Sequence, residues 1–192
     1  MALTAFLAGC GGPVRDTDPR IHALIHQCFA TTNESIFISA KCQPVGSWAY
    51  CDTVSSLNPH ADPRWTFPHF PPTLQAYRSD PVYWSSQIHE EEKQRQRGQI
   101  QPDHVVIYGG LPIGTRLEIV QISRWFNGEN GTFWVAYANI QDGEFKGSRI
   151  FLPWEGGLDS RGWIRAEYNP QTRGETEPGV DSNYLTKCEP GK

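Results

Sequence analysis

Four strand-like runs follow one another between Val105 and Trp154, and this stretch restricts the possible folds more than any other. The runs are VVIYGG, TRLEIVQI, TFWVAYANI and SRIFLPW. Asn127-Gly128 and Asn130-Gly131 separate the second run from the third, and Asp142-Gly143 separates the third from the fourth. Asn-Gly and Asp-Gly pairs supply the positive φ angles that tight hairpins need. The stretch therefore predicts a meander of four antiparallel strands.

The composition agrees with a mainly β protein. The 192 residues include 18 Gly and 15 Pro, which favour many turns and few long helices. Seven Trp stand against a single Met, which indicates a core of flat rings rather than flexible fillers. The formal net charge of -4 gives no basic surface for nucleic acid. No run approaches the roughly 18 apolar residues that cross a bilayer, and the length favours one domain.

The start of the second run carries a pattern found in a known class of folds. Gly110-Leu111-Pro112-Ile113-Gly114-Thr115, followed by an alternating strand, resembles the Pro-x-Gly-Thr pattern of bacterial SH3-like barrels. This resemblance implies a small SH3-like partial barrel over residues 105–154, built from the antiparallel meander. The alternation predicts two opposite faces. Leu117, Ile119 and Gln121 are expected on the buried face, and Arg116, Glu118 and Val120 on the other.

The rest of the chain predicts elements around this barrel. RIHALIHQC, which follows Asp18-Pro19, has the apolar spacing of a short N-terminal helix. ESIFISAKC and SWAYCDTV flank a turn at Gln43-Pro44-Val45-Gly46 and predict a hairpin. GWIRAEY and NYLTKC are strand-like, and the second of them would return Cys188 to the core.

Two segments between the hairpin and the barrel are less regular. From Asn58 to Pro81, prolines alternate with aromatic residues, which predicts an irregular but ordered loop wrapped over the sheet. From Asp80 to Arg97, acidic residues precede basic ones, which suits a helix with Ser85 or Ser86 near its start. A solvated excursion between strands is the other interpretation of this second segment.

The apolar opening MALTAFLAGC ends at Cys10. Leu7-Ala8-Gly9-Cys10 resembles the lipobox of bacterial lipoproteins, in which the signal peptide is cut before the cysteine and the cysteine is lipidated. The missing positive n-region and the short apolar run depart from a full signal, and a start codon assigned too far downstream would explain both. The resemblance implies a signal peptide at residues 1–9, a tether at 10–19 and a single β-rich domain at 20–192.

The residue after the lipobox indicates which membrane would hold the lipid anchor. It is Gly11, whereas an Asp at this place is associated with retention in the inner membrane. The resemblance therefore implies a lipid anchor in the outer membrane of a Gram-negative cell, with the domain facing the periplasm. The alternative is a cytoplasmic protein whose short apolar N-terminus matches by chance.

The other cysteines predict disulfides. With Cys10 lipidated, four remain, an even number suited to an oxidising compartment, and three pairings are possible. Cys42 and Cys51 flank a predicted turn, so Cys42–Cys51 closes a short loop at small entropic cost. Cys28–Cys188 would then tie the start of the folded region to its end. This scheme is the first choice, while the other pairings and buried free thiols stay open.

Few residues point to catalysis or to a metal. Glu155 and Asp159 lie in a Gly-rich loop beside tryptophans, and such a pair could act as acid and base on a glycosidic bond. His22 and His26 have the spacing of a two-histidine metal site on a helix, but no Glu beside the first one completes a metalloprotease motif. A structural histidine pair is the simpler interpretation. The sequence therefore predicts no cofactor and no metal.

Aromatic residues offer a possible binding surface. Trp65 lies in the Pro-rich segment and Trp125-Phe126 at a hairpin tip, where rings could stack on a glycan or a peptide unless they belong to the core. The expected function is non-catalytic: an envelope structural role, or binding of peptidoglycan, of another envelope protein or of an attacking hydrolase. The alternative is a periplasmic hydrolase that acts on cell-wall polymer through Glu155 and Asp159.

Overall fold

A computed structural model of the chain describes residues 19–41, 50–57, 71–95, 106–127, 131–153, 162–166, 168–169, 171, 174–175 and 177–189. The described part is mainly β and centres on a curled, eight-stranded half-barrel sheet. The predicted fold class, a mainly β protein with few helices, is confirmed. The finer resemblance to SH3-like barrels stays a prediction.

The elements are named in chain order. The strands of the described part are β1 (Cys28–Thr31), β2 (Ser35–Lys41), β3 (Tyr50–Ser56), β4 (Val106–Leu111), β5 (Arg116–Asn127), β6 (Gly131–Ile140), β7 (Arg149–Phe151), β8 (Ile164–Arg165), β9 (Tyr168–Asn169), β10 (Gly174–Glu175), β11 (Gly179–Val180) and β12 (Leu185–Lys187). The helices are a 3-10 helix (Pro19–Ile21), α1 (Leu74–Ser79) and α2 (Pro81–Arg95). β8 pairs with β11 and β9 with β10 in two small sheets, and the other strands form the main sheet.

The order of strands forces the main sheet to curl. It runs β12-β1-β5-β6-β7-β3-β2-β4, with β3 and β7 as its parallel pair. β1 and β2 are five places apart, which would be about 24 Å in a flat sheet. They are joined only by residues 32–34, and such a link spans at most about 14 Å. The sheet therefore bends until β1 and β2 are neighbours in space.

β1 and β2 form one bent strand. β4 and β5 form a second bent strand, which pairs with the first in an antiparallel direction. Phe29 lies opposite Leu117 in the β1–β5 pair, and Ser35 lies opposite Leu111 in the β2–β4 pair, in the same register. At the corner between the two pairs, the Thr31 N–H donates to the carbonyl of Thr115 at 3.0 Å. The ladder of hydrogen bonds thus continues round the bend.

The turn between β4 and β5 bends the chain but does not reverse its direction. The Thr115 N–H donates to the Pro112 carbonyl at 3.2 Å, and Gly114 has a φ of 84°, which this turn requires of its third residue. The predicted meander is therefore wrong in one place. β5, β6 and β7 do form consecutive antiparallel pairs, but β4 pairs with β2 at the far edge of the sheet.

The inner face of the half barrel holds the main core. Its fully buried side chains include Leu117, Ile119, Ile122, Ile140, Ile150, Leu152 and Trp163. In β5 the pairing register shifts between Ile119 and Gln121. This β-bulge exchanges the two faces of the strand, so that Ile122 is buried and Gln121 is exposed. The predicted burial of Leu117 and Ile119 is confirmed, and that of Gln121 is wrong.

Two glycines in β4 leave room for side chains on both faces of the strand. A Cβ on Gly109 would lie 2.6 Å from Cζ of Phe145, and a Cβ on Gly110 would lie 2.5 Å from Cδ2 of Leu74. Phe145 packs against the main core, whereas Leu74 belongs to a second apolar cluster with Ile36. Helix α1 therefore covers the side of β2 and β4 that faces away from the main core.

Both α-helices begin at a side-chain cap. The Thr73 hydroxyl accepts a backbone N–H at 3.1 Å at the start of α1, and the Asp80 carboxylate accepts one at 2.9 Å before α2. Pro81 follows in the first turn, where proline is tolerated. The helix predicted from residue 80 onward is confirmed, but it starts at Pro81 rather than at Ser85 or Ser86. Helix α1 lies within the segment from Asn58 to Pro81, so the prediction of an irregular loop is wrong for Leu74–Ser79. Residues 58–70 of that segment lie outside the described residues.

The predicted short N-terminal helix is present as a single 3-10 turn. Only Pro19–Ile21 forms a 3-10 turn, and residues 22–26 continue as turns. His26 adopts a left-handed φ of 60°, and its N–H donates to the carbonyl of Ile119 at 2.8 Å. The chain thereby enters β1, a strand that the sequence did not predict.

Two predicted pairings are confirmed. β2 and β3 form the expected antiparallel hairpin, from Ser35 opposite Ser56 to Lys41 opposite Tyr50. NYLTKC contains β12, which pairs with β1 and so returns to the sheet. Before β12, the ring of Tyr184 stacks on Trp163 with 5.4 Å between centroids. The C-terminal segment is thus part of the core.

Candidate binding surfaces

A disulfide joins the two strands at one side of the main sheet. Cys28 in β1 and Cys188, directly after β12, are bonded with their Cα atoms 5.4 Å apart. The Cys188 N–H also donates to the Cys28 carbonyl at 3.0 Å. The predicted Cys28–Cys188 pairing is confirmed. Cys51 is disulfide-bonded as well, and its predicted partner Cys42 lies outside the described residues.

A shallow polar cleft opens beside this disulfide. Its volume is about 320 Å³, and it is lined by His26, Cys28, Arg116, Glu118 and Gln141. β1, β5 and the end of β6 place these residues together, because Cys28 pairs with Glu118 and Leu117 with Ile140. The cleft therefore lies on the side of the sheet that faces away from the main core.

The charged groups of this cleft bind each other. The two oxygens of Glu118 contact Nδ1 of His26 at 3.0 Å and Nε2 of Gln141 at 2.9 Å. The two oxygens of Asp142 accept from Nε of Arg116 at 2.8 Å and from its backbone N–H at 3.0 Å. The side chain of His26 is 73% exposed, so its ion pair contributes little to stability. These contacts join neighbouring strands and leave both carboxylates engaged.

The two histidines do not share a helical face, because no α-helix forms over residues 19–26. His22 and His26 are both exposed, and only His26 reaches into the cleft. Among the residues that the structure describes, no three His, Cys, Asp or Glu side chains form a group that could hold a metal ion. The described geometry therefore offers no metal centre at this pair.

The second candidate surface is the free edge of β4. Among the described strands, β4 ends the main sheet and pairs only with β2. Within the described ranges, no backbone group of Val106–Leu111 makes a hydrogen bond beyond that ladder. Val106 is 48% exposed, Tyr108 46%, and Ile113 in the following turn 64%. We call this strand and these three side chains the β4 edge.

The opposite edge of the sheet is different. β12 has only three residues, it carries Lys187, and the disulfide at Cys188 holds its end. Short length and a charged residue are the usual protection of an edge strand against pairing. The β4 edge has twice that length and no charged residue. Within the described part, one edge of the sheet is thus protected and the other has no neighbouring strand.

Half of the residues predicted to form sites lie outside the part of the chain that the structure describes. Trp65, Glu155, Asp159, Cys10 and Cys42 are outside the described residues. The backbone of Trp125 and Phe126 is in β5, where they pair with Phe133 and Thr132 of β6. They therefore lie within a strand of the hairpin rather than in the loop at its tip, where they were predicted. Their side chains are not described, so their role in binding stays a prediction.

Neither candidate surface was predicted from the sequence. The cleft brings together His26 and Glu118, which are 92 residues apart in the chain, and no local pattern signals such a contact. The β4 edge depends on which strand ends the sheet. A usable signal was the run VVIYGG itself, which is apolar and carries no charged residue that would protect an edge.

No helix of the described part is long and apolar enough to span a bilayer. Comparison of the chain with protein-family models, with curated proteins and with solved structures found no match.

Proposed function

We propose that the chain is a lipid-anchored protein on the periplasmic face of the Gram-negative outer membrane, which binds an envelope partner and catalyses no reaction. Leu7-Ala8-Gly9-Cys10 supports the anchor through its resemblance to a lipobox. Gly11 after the cysteine supports the outer membrane. The partner would be peptidoglycan, another envelope protein or an attacking hydrolase.

The observation that carries this proposal is the Cys28–Cys188 disulfide. Structural disulfides form and persist in oxidising compartments such as the periplasm and are rare in the cytosol. This one joins strands that are 160 residues apart in sequence, so it is part of the fold rather than a local clip. Cys51 is also oxidised, which favours export over the cytoplasmic alternative.

The hydrogen bonds of the described carboxylates and of the β4 backbone favour binding over catalysis. Glu118 in the cleft, and Asp142, which binds the cleft residue Arg116, are each held by two neighbouring donors. A general base needs a carboxylate that can reach a substrate proton, whereas these carboxylates hold strands together. The outward backbone groups of the β4 edge, in contrast, have no partner among the described residues and are suited to recognising another chain.

Mass spectrometry of the membrane fraction tests the anchor. We expect an N-terminal peptide that begins at an acylated Cys10, and we expect the Cys10→Ser variant to lose the acyl mass and leave the membrane fraction. A soluble protein with an unmodified N-terminus before Cys10 would overturn the anchor.

Cross-linking in cells tests the partner. The wild-type chain should yield one dominant envelope protein or peptidoglycan fragment, and Cys10→Ser should reduce that yield because the chain is no longer held at the membrane. Recovery of the chain without any envelope component would overturn the binding role.

A further inference from the structure

The β4 edge is the starting point for one further inference. In an antiparallel pair, roughly half of the N–H and C=O groups of each strand point away from the partner strand. Because β4 pairs only with β2, the outward groups of Val106–Leu111 have no backbone partner among the described residues. Such a row of donors and acceptors has the spacing of an extended chain, so its natural complement is another β-strand.

The side chains along this edge indicate what such a strand would carry. Of the large apolar side chains in the described ranges that are exposed, Val106, Tyr108 and Ile113 lie on β4 or in the turn after it. Residues 106–113 include no charged residue. The nearby charge is the Asp52 carboxylate, which accepts from the Tyr108 hydroxyl at 3.1 Å. An uncharged, apolar segment would cover these side chains without adding a second charge, whereas a charged segment would lose its solvation at this place.

A peptide fits this edge better than a second copy of the chain. The β2–β4 register shifts between Phe37 and Ile38, so β4 carries a bulge near Tyr108. Two copies paired through β4 would bring two fixed bulges against each other, and each copy carries a net charge of -4. A flexible segment can instead adapt its backbone to the single bulge, because it is not held by a sheet of its own.

We propose that the β4 edge takes up an extended, apolar peptide segment of a partner protein as an additional strand of the sheet. This inference rests on the proposed binding function and names the chemical class of its ligand. The peptide's backbone would bond to the outward groups of β4, and its apolar side chains would cover Val106 and Tyr108.

The test uses the purified full-length chain and a phage-displayed library of random peptides as the probe. Enriched peptides are synthesised, their affinities are measured by fluorescence anisotropy, and amide hydrogen exchange is followed over residues 106–111 with and without peptide. Val106→Lys adds a charge at the edge. Val82→Lys is the matched control, because Val82 is 80% exposed and belongs to α2 rather than to the sheet. Both variants should keep the wild-type urea midpoint, since neither removes a buried side chain.

We expect enriched peptides with alternating apolar residues, slower exchange of β4 amides in their presence, and a loss of affinity of about tenfold or more in Val106→Lys but not in Val82→Lys. Three results would overturn the proposal: no enrichment, protection confined to another region, or equal effects of the two lysines. Slower β4 exchange at higher protein concentration without peptide would also overturn it, because it indicates pairing with a second copy.

These outcomes are separate from those of the proposed function. If cells yield an envelope partner but the β4 tests fail, the binding function stands and the partner uses another surface. If cells yield no partner, the function itself fails, whatever peptides bind in vitro.

Discussion

Removal of the Cys28–Cys188 bridge should lower the stability of the fold strongly while leaving its structure in place. In the Cys28→Ser/Cys188→Ser variant, β12 keeps its pairing with β1, and Tyr184 keeps its stacking on Trp163. What is lost is the covalent restriction of the unfolded chain. The native circular dichroism spectrum should therefore be retained.

The magnitude follows from the length of chain that the bridge closes. The bonded cysteines are 160 residues apart, and the chain-entropy relation gives about 5 kcal/mol for a loop of this length. Measured losses are often smaller, so we expect the free energy of unfolding to fall by roughly 3–5 kcal/mol. A second disulfide at Cys51 within the loop changes this little, because the dependence on loop length is logarithmic.

Urea unfolding followed by tryptophan fluorescence measures the effect. The midpoint should fall, and the slope m should rise, because an unfolded chain without the bridge exposes more surface. Each single variant, Cys28→Ser or Cys188→Ser, serves as the internal control and should match the double variant. A loss of unfolding free energy below about 1 kcal/mol, with unchanged m, would refute the reasoning. The β1–β12 ladder and the core would then hold the C-terminal segment without the bridge.

Three further predictions follow from the packing. Gly110→Ala should lower the free energy of unfolding by about 1–3 kcal/mol, because the added Cβ clashes with Leu74. The loss should be much smaller in a Leu74→Ala background. Additive shifts of the urea midpoint in the double variant would contradict this. Asp181→Ala should cost about 1–3 kcal/mol, because this buried carboxylate accepts a backbone N–H at 3.0 Å, and an unchanged midpoint would argue against that role. Burial, and then the nearby Glu144 carboxylate, raise the pKa of Tyr77 above its ordinary value of 10.0. The contribution of the neutral phenol to stability is therefore intact below pH 10.0 and is lost as pH rises through the folded-state pKa. Tyr77→Phe should flatten the alkaline end of the curve of urea midpoint against pH. An unchanged curve would contradict the raised pKa of Tyr77.

Most strands of the main sheet were predictable from the sequence, although β1 was not, because strand formation depends largely on local patterns. The alternation at Leu117 and Ile119 and the Asn-Gly and Asp-Gly turns identified β5, β6 and β7 and their order. Pairing between distant strands was not predictable. Pro112 to Thr115 looks like a turn between neighbouring strands, but it is a corner in a bent strand, and nothing local distinguishes the two.

The candidate surfaces were less predictable than the fold for the same reason. An edge is a property of the whole strand order, and the run at Val106 is an edge only because β2 lies between β3 and β4. Similarly, the pairing of His26 with Glu118 needs both the left-handed turn before β1 and the β1–β5 register. The Cys28–Cys188 pairing was predictable, because few combinations exist among four cysteines.

The position of β1 in the sheet also affects the order in which the disulfides form during folding. Its partners are β5 and β12, so Cys28 pairs with Glu118 and Phe29 with Lys187, and β1 has no partner nearby in the chain. Pairings over such distances form slowly. If the chain is exported as proposed, Cys28, Cys42 and Cys51 would reach the oxidising compartment before Cys188. We expect Cys28 to bond first to Cys42 or Cys51 in part of the chains, so that in those chains the native Cys28–Cys188 bridge arises by disulfide exchange on the scale of seconds to hours.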